Sequence, residues 1–214
     1  MNRNLTEIVF ILDMSGSMEP LSADTIGGFN SLLAKQKKQH GRAMVSTILF
    51  NDSSHIIHDR TDIRQVAPLT RRDYCPAGCT ALLDAVGGAI RHIEAIHRDS
   101  RPYDVPEHTL FIITTDGMEN ASTHYNFREV RQMIEAAKER HWEFLFLGAN
   151  IGTEEAARAM GIAPDRCAQY HPDAKGTALN FAILGDALCA VRDGQGISQN
   201  WSQPIREDFQ KREK

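Results

Sequence analysis

The sequence is short of cysteine and carries no excess of basic residues. Its 214 residues include 4 Cys, and 24 Lys and Arg against 28 Asp and Glu give a formal net charge of -4 at pH 7. So few cysteines do not make a disulfide scaffold, and we expect the thiols to be reduced. Because there is no basic surplus, the composition predicts that nucleic acid is not a partner.

Long hydrophobic runs are missing near the N-terminus as well. The apolar run 8–12 ends at Asp13, and it is shorter than a signal-peptide core or a membrane span. We therefore expect a cytoplasmic protein with no membrane partner. Internal repeats and low-complexity linkers are also absent, and 42% hydrophobic with 24% charged residues is typical of one globular domain.

Short apolar runs alternate with amphipathic stretches along the chain. This alternation predicts an α/β fold, in which a doubly wound, mostly parallel six-stranded sheet carries helices on both faces. The segment 55–69 is too polar for a central strand and no helix separates it from the strand before it, so we expect a short antiparallel edge strand and a connection there. The other predicted strands are 7–12, 44–50, 109–115, 143–148 and 167–170, and the predicted helices are 22–39, 81–96, 127–140, 154–160 and 177–191.

The end of the chain is polar. We expect the main domain to span residues 1–192 and a polar C-terminal tail to span residues 193–214. Apolar residues recur every four positions in this tail, which predicts a short amphipathic helix. These residues are Ile197, Trp201, Ile205 and Phe209. We expect the helix to dock on its own domain, and binding to a partner is the alternative.

Carboxylates and hydroxyls follow the predicted strands at their carboxyl ends. Asp13-Met14-Ser15-Gly16-Ser17 follows the first strand, Asp116 follows the strand 109–115, and Thr80 stands before a helix. Ligands of an open parallel sheet bind at this edge, so we expect these side chains to meet there. Two carboxylates and three hydroxyls form a hard-oxygen set, which suits Mg²⁺ better than zinc.

This arrangement resembles the metal-ion-dependent adhesion site of von Willebrand factor type A domains, and the resemblance covers roughly residues 5–190. It implies that residues 1–192 form such a domain, with one antiparallel edge strand in a doubly wound sheet. The ligands that it implies are the hydroxyls of Ser15, Ser17 and Thr80 and, directly or through water, the carboxylates of Asp13 and Asp116. Gly117 and Asn120 would only shape the loop.

The resemblance also implies a function. A bound Mg²⁺ (or Mn²⁺) would offer a vacant coordination position to a Glu or Asp of a protein partner, and in intracellular members that partner is often a ring-forming ATPase. The alternative is a structural subunit of a multi-protein or ATPase-associated assembly, in which the metal only stabilises loops.

The sequence lacks a residue that each of three classes of enzyme requires. A haloacid dehalogenase phosphatase needs an acid two residues after Asp13, where Ser15 stands. A serine hydrolase needs a glycine two residues before its nucleophile, and Met14-Ser15-Gly16 lacks it. A P-loop needs Gly-Lys-Ser/Thr, and Lys175-Gly176-Thr177 has a different order. We therefore expect that the chain is not an enzyme.

Other polar residues have plainer interpretations. Cys75-Pro76-Ala77-Gly78-Cys79 departs from the family's pattern, and its spacing favours a reduced pair over a zinc site or a redox pair. We expect His55 and His58 to be solvated side chains on the edge segment. Asp84 lies near a helix start, where it would interact with the helix dipole.

Overall fold

A computed structural model describes residues 2–149 and 152–212 of the chain. Six strands form one sheet in the order β3-β2-β1-β4-β5-β6. The strands are β1 Asn2–Asp13, β2 Arg42–Phe50, β3 Ser54–Asp62, β4 Pro106–Thr115, β5 Trp142–Gly148 and β6 Cys167–Gln169. Only the β2–β3 pair among them is antiparallel. The predicted fold class is therefore confirmed, including the antiparallel edge strand.

Helices cover both faces of the sheet. They are α1 Ser22–Gln36, α2 Leu82–Asp99, α3 Phe127–Lys138, α4 Thr153–Ala159, α5 Ala174–Arg192 and α6 Gln203–Arg212, with short 3₁₀ turns at Gly16–Leu21 and Pro164–Arg166. Side chains alternate across a strand, so β1 feeds two cores. Ile8 and Phe10 pack with α1 and α5, whereas Val9 and Ile11 pack with α2 and α3. Burial on both faces explains why residues 8–12 of β1 are all apolar.

The edge strand β3 is short, as predicted, and one of its histidines is buried. It ends at Asp62, and its pairing with β2 is irregular on both sides of Thr47. The expectation that His58 is solvated is wrong, because its ring is buried and Nδ1 lies 3.0 Å from Thr47 Oγ1. Burial lowers the pKa of His58 below its ordinary value.

The helix α5 has the length and apolar composition of a membrane span, with a mean hydropathy of 1.2. Half of that stretch is buried inside the domain, where Phe181 and Leu184 join the core shared with α1. A core helix passes the same test of length and composition. Its packing accounts for the apolar character of α5 without a membrane.

The C-terminal segment lies along the short edge strand β6. Trp201 and Ile205 are buried, and Trp201 Nε1 donates a 2.8 Å hydrogen bond to the Asp165 carbonyl. Arg206 Nη2 donates to the Cys167 carbonyl of β6 at 3.0 Å. The helix α6 therefore covers an edge that would otherwise present unpaired backbone groups. The domain boundary at residue 192 stays a prediction.

Candidate functional site

Two buried carboxylates lie at the carboxyl edge of the sheet. Asp13 ends β1 with 0% exposure, and Asp116 follows the last residue of β4 with 6% exposure. Asp13 Oδ1 accepts a 2.7 Å hydrogen bond from the Ser15 N–H. Ser17 Oγ donates to Asp116 Oδ1 at 2.7 Å, and the Ser15 and Ser17 hydroxyl oxygens are 3.2 Å apart. A chain of contacts thus joins the loop after β1 to the loop after β4.

Thr80 reaches the same edge from the loop before α2. Its N–H donates to Asn120 Oδ1 at 2.8 Å, and its carbonyl accepts from the Asn120 N–H at 3.1 Å. Its hydroxyl lies against Gly117, where a Cβ would be 2.8 Å from Thr80 Oγ1. Only glycine leaves room for Thr80 beside Asp116. The structure therefore brings all five predicted ligands together, and their metal-binding role stays a prediction.

The charge of this site is unbalanced. Burial raises the pKa of Asp13 above its ordinary value, although hydrogen bonds from Ser15 and Thr115 oppose the rise. Burial also raises the pKa of Asp116, and the nearby charge of Asp13 raises it further. Among the described residues, no Lys, Arg or His is a cause of either pKa change. Two buried carboxylates that lack a counterion in the described part of the chain form a site that a divalent cation would stabilise.

The donor chemistry fits a hard divalent cation. In the described part of the chain, no group of three or more His, Cys, Asp or Glu side chains could hold a metal ion. A cation at this edge would depend on the hydroxyls of Ser15, Ser17 and Thr80 as well as on the two carboxylates. Oxygen donors of this kind are what Mg²⁺ prefers in proteins.

Two residues that support the site were not predicted. Thr115 Oγ1 donates to Asp13 Oδ2 at 2.5 Å and also contacts the backbone of Gly117. Tyr74, which is buried, donates its hydroxyl proton to the Asp13 carbonyl. Thr115 could have been found, because it directly precedes Asp116 at the strand end. Tyr74 is far from both carboxylates in sequence, and nothing local indicates its contact.

The loop with two cysteines is braced against the loop after β1. The Ala77 N–H donates to the Met14 carbonyl at 3.0 Å, and the Gly16 N–H donates to the Gly78 carbonyl at 3.1 Å. Gly78 has φ +75, and a Cβ there would lie 1.8 Å from Asp52 Oδ2. Cys75 and Cys79 are exposed free thiols. The unusual loop therefore still delivers Thr80 to the site.

Asp84 lies in the first turn of α2, as predicted, and it also fixes a neighbouring loop. Its carboxylate accepts 2.9 Å hydrogen bonds from the N–H groups of Thr123, His124 and Tyr125. Burial alone would raise the pKa of Asp84, but these bonds and the His124 ring outweigh it and hold the pKa below its ordinary value. Asp84 thus holds the loop between Asp116 and α3 in addition to its place at the start of the helix.

Comparison with known proteins finds no protein-family profile and no curated protein sequence that matches this chain. Solved structures do match it. A von Willebrand factor type A protein from Catenulispora acidiphila superposes with a TM-score of 0.61 at 16% identity, over 88% of this chain and 43% of that chain. Proximal thread matrix protein 1 from the mussel byssus, with a zinc occupied MIDAS motif, gives 0.61 at 14% identity, over 88% of this chain and 46% of that chain.

A third structure is the manganese-loaded TRAP protein of Plasmodium vivax, with a TM-score of 0.57 at 16% identity over 85% of this chain and 74% of that chain. The chain therefore has the fold of von Willebrand factor type A domains, as its motifs indicate. It spans less than half the length of the mussel and Catenulispora proteins. Two of these relatives carry a divalent metal, zinc in one and manganese in the other.

Proposed function

We propose that this chain is a metal-dependent protein-recognition domain. A divalent cation, Mg²⁺ or Mn²⁺, would be held at the carboxyl edge of the sheet and would bind an acidic side chain of a partner. The observation that carries this proposal is the pair of buried carboxylates, Asp13 and Asp116, which no basic side chain of the described residues neutralises. The residues that would hold the cation are Asp13, Ser15, Ser17, Thr80 and Asp116.

The donor count supports an open coordination position. Octahedral Mg²⁺ needs six oxygens, and five side chains supply fewer when a carboxylate acts through water. Two carboxylates and neutral hydroxyls balance the charge of a divalent cation without exceeding it. When bound, the cation would supply a Lewis-acidic position that suits a carboxylate from outside. The Ser17 hydroxyl already lies against Asp116, because it donates to Asp116 Oδ1 at 2.7 Å.

A catalytic role has less support. The hydroxyls of Ser15 and Ser17 contact each other and Asp116, and no histidine is among their partners in the described residues. Serine nucleophiles require a general base of that kind. The matched structures include a pilus adhesin and a matrix protein, which supports a role in recognition. A ring-forming ATPase in the cytoplasm remains the partner that the motif resemblance favours.

The direct test is calorimetric titration with Mg²⁺, Mn²⁺ and Zn²⁺. Thr80→Val removes one hydroxyl from the site, and Thr109→Val removes an equally buried hydroxyl at the far end of β4. We expect wild type and Thr109→Val to bind alike and Thr80→Val to bind at least tenfold more weakly. Equal affinity in all three proteins would rule out this site.

The structural alternative needs a second measurement. If the metal only ties loops together, chelation lowers stability without changing the affinity for a partner. Candidate partners would be those retained on immobilised wild type in Mg²⁺ and absent from immobilised Thr80→Val. Their affinity is then measured with Mg²⁺ and with chelator. Equal affinity under both conditions would favour the structural subunit.

A further inference from the structure

An apolar hollow lies next to the candidate metal site. Its volume is about 350 Å³, and its walls come from the carboxyl ends of β4 and β5, from the first turns of α2 and α3 and from the length of α4. Ligand pockets span about 300–1,000 Å³, so this one is near the lower limit. A hollow of that size accommodates one large side chain or a small group.

Small residues create this hollow. The lining includes Gly148 and Ala149 at the end of β5 and Ala156 and Ala159 on α4. A Cβ on Gly148 would lie 2.4 Å from Thr153 Oγ1, so the start of α4 packs directly on the strand end. Leucine or phenylalanine at the alanine positions would fill the space. The hollow is therefore a consequence of the sequence of α4 and not a packing gap in the core.

Exposed apolar side chains stand at its rim. Met118 is 69% exposed and Phe127 is 36% exposed, and both line the hollow. Among the described residues, the other large hydrophobic side chains with such exposure are Ile56 and Tyr103. Single exposed hydrophobic residues are ordinary, but two that converge on one hollow mark an interaction surface.

The hollow is continuous with the candidate metal site. Thr115 and Gly117 line it, and the same two residues support Asp13 and Thr80. Glu119 and Glu155 also line it, so a second carboxylate from a partner would be repelled there. The chemistry of the edge is thus divided between a position for an acidic side chain and an adjacent position for an uncharged one.

We infer that the partner segment carries an aliphatic or aromatic side chain two residues from its acidic residue, and that this side chain enters the hollow lined by Met118, Phe127 and Ala156. The inference rests on the proposed function, because it places the acidic residue on the cation. An extended segment advances about 3.3 Å per residue and consecutive residues point to opposite sides, so residues i and i+2 face the same side about 6.6 Å apart. One partner strand can therefore present a carboxylate and an apolar group to two adjoining positions.

Blocked pentapeptides with a central Phe-Gly-Glu or Glu-Gly-Phe triplet test the inference, with Ala replacing Phe and Gln replacing Glu as references. Affinity is measured by NMR titration of the full chain in Mg²⁺. Burial of a phenylalanine side chain removes a large apolar surface from water, so we expect at least one Phe peptide to bind at least tenfold tighter than its Ala counterpart. Ala159→Trp, which fills the hollow, should abolish that advantage and leave Mg²⁺ affinity unchanged.

The matched control is Ala178→Trp, which places the same side chain on an exposed position of α5 in a different hollow. It should keep the advantage of the Phe peptide. Equal affinity of Phe and Ala peptides for wild type would overturn the inference and leave the proposed function standing. Concentration-dependent dimers that Ala159→Trp abolishes would assign the hollow to a second copy and overturn it too. Glu peptides whose binding does not depend on Mg²⁺ would overturn the proposed function itself.

Discussion

Asp13 and Asp116 are charged groups in a place where charge is costly. Both are buried, and within the described residues each accepts hydrogen bonds from hydroxyl and backbone groups alone. The motif identifies both aspartates from sequence, because it depends on residue type and spacing. Their burial does not follow from the motif. It arises because the neighbouring loops, including that of Tyr74, close over the strand ends.

Neutralising Asp13 should stabilise the metal-free protein. In Asp13→Asn the side-chain oxygen can still accept from the Ser15 N–H, while the buried negative charge is removed. We expect the free energy of unfolding in EDTA at pH 7 to rise by about 1 kcal/mol, and the response to Mg²⁺ to disappear. Urea unfolding monitored by circular dichroism measures both. Asp52→Asn changes an exposed carboxylate beside the same loops, and its free energy of unfolding in EDTA should equal that of the wild type.

Asp84 should stabilise the folded protein at neutral pH and lose that contribution in acid. Its folded pKa lies below the ordinary value of 3.8, so its contribution is complete above that value and is lost as pH falls through the folded pKa. Asp84→Asn leaves some of three backbone N–H groups without a partner, and we expect a loss of about 1–3 kcal/mol at pH 7. The free energies of unfolding of the wild-type protein and of Asp84→Asn are measured between pH 7 and pH 3. The difference between them should become smaller as the pH falls. A constant difference would contradict this role.

At the scale of elements, hydrophobic periodicity locates most strands and helices. The predicted strand 143–148 is observed as Trp142–Gly148, and the predicted helix 81–96 as Leu82–Asp99. Hydrophobic periodicity shows which side chains of one strand or helix are buried, so it can locate that strand or helix in the sequence. It does not report contacts between distant segments. For that reason the burial of His58 against β2 was not predicted, and neither was the place where α6 docks, although its docking on the domain was expected.

The C-terminal segment should stabilise the domain through Trp201. Trp201→Ala removes a buried indole and its hydrogen bond to the Asp165 carbonyl, and we expect a loss of about 3 kcal/mol. Thermal unfolding measures the loss as a lower Tm. Tyr103→Ala, at a position 82% exposed, should leave Tm nearly unchanged. An unchanged Tm in Trp201→Ala would mean that the segment is free to bind a partner.

At the scale of the whole molecule, the sheet brings three separate loops to one edge and the cation would connect them. The residues 13–17, 80 and 116 belong to different segments, and a few hydrogen bonds join the loops that carry them. A ligand that binds only the folded state stabilises it by RT ln(1 + [L]/Kd). Metal binding here should therefore be visible as global stability and not only as local order.

We expect Mg²⁺ or Mn²⁺ at one hundred times Kd to stabilise the wild-type protein by about 2.7 kcal/mol, which for a domain of this size raises Tm by roughly 5–10 °C. NaCl at the same ionic strength controls for screening of surface charge. The rise should be absent in Asp13→Asn and reduced in Thr80→Val, and it should grow with the logarithm of metal concentration. A rise that is equal in all three proteins would come from surface binding. Such a result would contradict the proposal that a cation binds to the two buried aspartates.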